Sequence, residues 1–141
     1  MIKFFTVDDA FRSDMKDLLA QYKRRNLHME RYVRVINTDK ESETVRSVEC
    51  FPVSYIQCIL FDSMEDKNHK RFYYIKILTA MGPSCVCATW KEDECYKTFN
   101  LFCSWLLDDE SNKFVFTIDK NEINDYFKCL LLNANSGDIF V

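Results

Sequence analysis

Glycine is scarce in this sequence, since only Gly82 and Gly137 occur among 141 residues. Phosphate-binding loops, the dinucleotide-binding fingerprint and nucleophile elbows each need glycines at close, fixed spacings. Histidine is equally rare, and His28 and His69 leave few candidates for a general base or a metal ligand. The sequence therefore predicts a protein that is not an enzyme and needs no cofactor.

Apolar runs of about 18 residues, the length needed to cross a bilayer, are also missing, and the first residues do not resemble a signal peptide. The net charge of −3 argues against a general attraction to nucleic acid. Seven cysteines, an odd number at scattered spacings, are typical of free thiols in a reducing compartment. These features predict one globular, intracellular domain over residues 1–141.

Two hydrophobic periods alternate along the chain. Apolar residues at helical spacing predict an amphipathic helix over 7–25, and the tail 139–141 is predicted as an edge strand. The remaining predicted elements are strands at 31–37, 44–51, 53–61, 71–81, 84–90 and 114–118, and helices at 92–107 and 120–132. We therefore expect an α+β fold in which an antiparallel sheet of about five to six strands, in a meander, is flanked by three helices.

One short pattern is compatible with zinc chemistry. His28 and Glu30 have the H-x-E spacing of zinc deaminases, which also require a P-C-x-x-C segment. The nearest match is Pro83 followed by Cys85 and Cys87, whose C-x-C spacing on a predicted strand makes a poor zinc site. The alternative is that both cysteines are core residues, so no metal is expected.

Basic residues are concentrated in one region of the sequence. This cluster could bind RNA phosphates through counterion release, or it could be a solvated helix end and sheet rim. Its members are Lys23, Arg24, Arg25, Arg31 and Arg34.

The predicted helix 92–107 is apolar around much of its circumference. At 100° per residue its apolar arc covers roughly 240°, whereas a helix lying on a core typically needs about 100°. Either the helix is buried on two sides, or one stripe of it is left for a partner. The apolar residues are Tyr96, Phe99, Cys103, Leu106 and Leu107 on one face, continued by Cys95, Leu101, Phe102 and Trp105.

Residues 98–107 of this helix resemble the BC box of ubiquitin-ligase substrate receptors. Thr98, Cys103 and Leu107 match the motif, while Phe99 stands where leucine is usual and adds volume. A helix aligns positions 99, 103 and 107 on one face. The resemblance implies that this stripe binds elongin C and, with elongin B, recruits a cullin–RING ubiquitin ligase.

Phe114 follows the acidic, polar stretch 108–113. If the next strand begins after it, Phe114 projects from a loop, where an aromatic side chain is well suited to fill a partner's pocket. If the strand begins earlier, Phe114 is buried as one of its first residues.

The BC-box-like helix and Phe114, with the length and composition, resemble the N-terminal silencing suppressors of insect dicistroviruses. The resemblance implies a suppressor of RNA interference in the host cytoplasm, in which Phe114 binds the antiviral Argonaute and the helix recruits the ligase. Some suppressors of these viruses bind double-stranded RNA, so an RNA-binding suppressor that uses the basic cluster is the alternative. We expect a bivalent adaptor without catalytic activity, whose two attachments raise the local concentration of ligase around the Argonaute.

Overall fold

The computed structural model describes residues 3–5, 30–108 and 111–134. Several predicted features lie outside the described residues, namely the helix 7–25, the edge strand 139–141, His28 and the basic residues Lys23, Arg24 and Arg25.

Six longer strands, one short strand and two α-helices make up the described residues. The strands are β1 (Lys3–Phe5), β2 (Tyr32–Asp39), β3 (Thr44–Pro52), β4 (Ile56–Glu65), β5 (Arg71–Thr79), β6 (Gly82–Thr89) and β7 (Lys113–Asp119). The helices are α1 (Glu92–Asp108) and α2 (Lys120–Ala134), and a 3-10 turn occupies Val53–Tyr55. Within the described ranges, neither helix has the length and apolar character required to cross a membrane.

The strands form two separate sheets, so the predicted single meander is wrong, although the α+β class is right. One sheet has the order β1-β4-β5-β6 and the other has the order β3-β2-β7. Two of the pairings are parallel, β1 with β4 and β2 with β7. The expectation of five to six antiparallel strands flanked by three helices therefore fails for the described residues, which contain two helices.

The chain changes sheet at Pro52. Proline has no backbone N–H to donate to a ladder, and the 3-10 turn Val53–Tyr55 directly follows it. The next strand, β4, pairs with β5 and β1 instead of returning alongside β3. The free edge of β2 is then taken by β7, which enters parallel to it from 80 residues further along the chain. Such a parallel pairing needs a long crossover, here provided by the rest of the fold.

A single core joins both sheets to both helices. Helix α1 contacts β5 and β6, and α2 contacts strands of both sheets. The most completely buried large side chains come from all of these layers. They are Val33, Val35, Ile59, Phe72, Ile75, Ile77, Phe99, Phe102, Leu106, Phe116 and Ile118.

Helix α2 begins at a capping box formed by Asp119 and Glu122. The Asn121 amide donates to the Asp119 carboxylate at 3.1 Å, and the Asp119 amide donates to the Glu122 carboxylate at 3.2 Å. The Lys40 amide donates to the other Asp119 oxygen at 2.8 Å. These bonds favour the charged carboxylate and lower the pKa of Asp119. The start of α2 is thereby attached to the turn that follows β2.

Arg31, immediately before β2, binds the end of α1 from inside the core. Only 3% of the residue is exposed. Its guanidinium donates to the carbonyl oxygens of Trp105 at 2.6 Å and Leu106 at 3.3 Å, and its Nε donates to that of Ser111 at 3.2 Å. The guanidinium carbon also lies 4.0 Å from the centroid of the Trp105 ring. A cation at this position donates hydrogen bonds to the free carbonyl groups of the last helical turn. Its charge is also stabilised by the negative end of the helix dipole.

We expect Arg31→Met to lower the free energy of unfolding by about 2–4 kcal/mol, because buried carbonyl groups lose charged donors. Urea denaturation of the purified chain measures this loss. The exposed Arg46 supplies the matched control, and Arg46→Met should change stability by less than about 0.5 kcal/mol. Equal effects of the two substitutions would contradict a structural role for Arg31.

Candidate functional site

The stripe predicted to bind elongin C is mostly enclosed by the domain itself. Phe99 is 0% exposed and Cys103 is 4% exposed. The Phe99 ring lies 5.1 Å from the ring of Phe61 on β4, measured between centroids. Burial raises the pKa of the Cys103 thiol to about 12. The expectation that these two anchors face solvent is therefore wrong.

The other two BC-box positions are partly accessible. Leu107 is half-buried at the end of the stripe. Thr98 is also half-buried, and its hydroxyl donates to the Glu94 carbonyl at 3.0 Å within the helix. The apolar side chains of α1 that remain exposed are Tyr96 and Leu101. Tyr96 lies on the same side of the helix as the stripe, before Phe99, whereas Leu101 lies roughly 140° around the axis from Tyr96. The stripe is therefore buried at its centre and partly exposed at its two ends, Tyr96 and Leu107.

Helix α1 is buried on two sides because it touches both sheets. Its Phe99 packs on β4 of the four-stranded sheet, while Phe102 reaches β7 of the three-stranded sheet. The Phe102 ring centroid lies 5.1 Å from that of Phe116 and 5.2 Å from that of Phe114. Contact with a second sheet explains the wide apolar arc without a partner protein.

Phe114 belongs to a strand, not to a loop. It is the second residue of β7 and is paired in register with Val33. Its half-buried ring lies 5.2 Å from Phe102 and 5.6 Å from Trp105, between centroids. The side chain therefore faces the core and does not project as a plug. Its predicted contact with Argonaute stays a prediction that depends on the partly exposed edge of the ring.

The basic cluster is not brought together as a binding surface in the described part of the chain. Arg31 is buried against α1 and bonded to its last turn, so its contact with nucleic acid stays a prediction that would require the end of α1 to move. Arg34 lies two positions further along the strand than Tyr32, on the side of the sheet away from the core. Its Nε is buried and has no hydrogen-bond partner in the described part of the chain.

Among the residues that the structure describes, no helix or second sheet covers one side of the three-stranded sheet, and we call this side the outer face. On this side, Arg34 of β2 lies opposite Cys50 of β3 and Val115 of β7, and Ile36 of β2 lies opposite Val48 of β3. Val48 is 45% exposed and Val115 is 40% exposed. Next to Val115, Phe116 on the opposite side of β7 is buried, whereas the β3 residues Ser47 and Glu49 beside Val48 are exposed. The outer face consists of Tyr32, Arg34, Ile36, Val45, Val48, Cys50, Lys113, Val115 and Thr117.

Sequence reasoning missed the outer face. The alternation of apolar and polar residues in 44–51 indicates the two faces of a strand, but it does not indicate which other strands lie beside that strand. Val48 and Val115 come together only because β7 pairs with β2, a contact between distant segments. The exposed valines of β3 were the one available signal.

The two β6 cysteines are half-buried and lie beside a third thiol. The Cys85 thiol donates to the Cys87 carbonyl, with sulfur and oxygen 3.6 Å apart. A hydrogen bond from Cys95 lowers the pKa of Cys87, while that bond and burial raise the pKa of Cys95. Among the described residues, no group of three or more histidine, cysteine, aspartate or glutamate side chains is arranged to hold a metal ion.

We expect iodoacetamide at pH 8 to modify the exposed Cys50 quickly and to leave Cys103 unmodified in the native chain. The reagent cannot reach Cys103, and with a pKa of about 12 only about one thiol in ten thousand is ionised at that pH. Peptide mass spectrometry after short pulses measures both sites. Urea should make Cys103 as reactive as Cys50. Equal labelling without urea would mean that the stripe is open after all.

No protein-family profile matches this sequence, and neither a curated protein nor a solved structure shows detectable similarity to it.

Proposed function

We propose that this chain is a non-enzymatic suppressor of RNA interference that acts in the host cytoplasm by binding an antiviral Argonaute. The exposed outer face is the observation that carries the binding role, because apolar patches of this kind are typical of protein-binding surfaces. The identity of the partner rests on the resemblance of residues 98–114 to dicistrovirus suppressors.

Recruitment of elongin C, elongin B and a cullin–RING ligase is the second activity that the resemblance implies. Its anchors Phe99 and Cys103 are buried, so α1 would have to leave the sheets before elongin C could reach them. Exposing Phe99 alone would forfeit about 1.5–3 kcal/mol of hydrophobic stabilisation. Argonaute binding is therefore independent of α1, whereas ligase recruitment depends on release of α1 from the core.

A target-cleavage assay with purified insect Argonaute tests the proposed function in the absence of any ligase. We expect the wild-type chain, in molar excess, to abolish cleavage, because binding alone blocks the enzyme. We also expect it to restore a silenced reporter in insect cells. Unchanged cleavage together with an unchanged reporter would refute the proposal.

Two variants divide the two activities. Phe114→Ala should cost about 1–3 kcal/mol of stability, since the ring is half-buried in the core. The predicted contact with Argonaute implies that the folded fraction of this variant loses inhibition, whereas inhibition that only follows the folded fraction would show that Phe114 is not an Argonaute contact. If elongin C co-purifies with the wild-type chain and Leu107→Asp abolishes this co-purification, then α1 is released from the core in cells.

A further inference from the structure

Strand β3 forms an open edge of the three-stranded sheet. In the described part of the chain β3 is paired with β2 alone. Every residue from 44 to 50 is exposed. The backbone N–H and C=O groups on the far side of β3 are thus available, and such an edge is a template for an added strand.

A β-bulge limits how much of this edge is regular. The register shifts between Asn37 and Thr38, which leaves Arg46 without a direct partner on β2. Regular pairing therefore extends from Ser47 towards the end of β3. Within that stretch Val48 and Cys50 point to the outer face, so an added strand would meet one apolar and one small side chain there.

Arg34 gives this edge a charge preference. Its Nε is buried and unpartnered in the described part of the chain, and a buried N–H without an acceptor is unfavourable. Arg34 is opposite Cys50 on β3, so a residue added beyond Cys50 would lie about 10 Å from it, two strand spacings away. Two long side chains of opposite charge can meet across that distance over the small cysteine. Lys113, at the start of β7, adds a second positive charge to the outer face.

We propose that β3 and the outer face bind an extended segment of a partner protein, which pairs with β3 as an additional strand. The segment carries an acidic residue opposite Cys50 and an apolar residue opposite Val48, two positions apart. The acid accepts a charged hydrogen bond from Arg34, and the backbone supplies the remaining bonds. This inference rests on the proposed protein-binding function and specifies how the partner is recognised.

The same residues disfavour two other occupants. Pairing of β3 with a second copy about a two-fold axis at Val48 would place Arg46 of the second copy opposite Cys50, within reach of Arg34. Like charges at that distance repel. Nucleic acid would need a row of phosphate contacts, whereas the cations of the outer face are two diagonal neighbours, Arg34 and Lys113, among apolar side chains.

Two short synthetic peptides test the inference on the isolated chain. One has valine and glutamate two positions apart in a threonine-rich sequence, and the other has lysine in place of glutamate. Nitrogen-15 NMR titration should show saturable shifts at residues 47–50 with the glutamate peptide, which we expect to bind about tenfold more tightly than the lysine peptide. Arg34→Glu should reverse that preference.

A second variant covers the case in which Arg34→Glu does not fold. Cys50 is exposed, so Cys50→Leu should keep the fold, but its bulk should remove the preference for glutamate. Leu131→Asp, at an exposed position on α2, is the matched control and should leave both affinities unchanged.

Shifts elsewhere, equal affinity for both peptides, no binding at all, dimerisation through β3 or preferential binding of RNA would each overturn the inference. The titration contains no Argonaute, so its failure is distinguishable from failure of the cleavage assay.

Discussion

The structure depends on a buried cation at the end of a helix. Arg31 donates to carbonyl groups of the last turn of α1 and stacks on Trp105. The neighbouring backbone extends this attachment, because the Arg31 carbonyl accepts from Val53 and the Tyr32 amide donates to the Asn112 carbonyl. One short segment therefore fixes the end of α1, the start of β2, the turn where the chain changes sheet and the entry to β7.

This arrangement determines which surfaces remain for partners. Because α1 lies against both sheets, most of its wide apolar arc is buried within the domain, and the BC-box-like anchors Phe99 and Cys103 are not accessible. The three-stranded sheet has a different character, since β2 and β7 bury their inner side chains while residues 44–50 of β3 are exposed. The protein-binding surface that we propose is therefore the outer face with the edge of β3, and not the helix that the sequence pattern suggested. A partner that bound there would not need to unfold any part of the core.

The sequence predicted local structure better than the contacts between elements. The predicted helices 92–107 and 120–132 lie close to the observed helices, because the hydrophobic period of a helix is a local property of the sequence. Sheet order was missed, since alternation indicates the faces of a strand but not its neighbours. Arg31 was grouped with surface cations because no sequence feature distinguishes a buried arginine from an exposed one. The wide apolar arc of α1 can be read from the sequence. The sequence does not reveal whether a second sheet or a partner protein covers that arc.

Native-state hydrogen exchange of the chain alone tests the central claim most directly, namely that α1 is closed within the core while β3 is open. The account predicts that amides of Phe99, Cys103 and their neighbours in α1 exchange only through global unfolding, with the full unfolding free energy. Amides of β3 that point away from β2 should exchange through local fluctuations, many orders of magnitude faster. Exchange of the α1 amides at low free energy, with protection throughout β3, would contradict it.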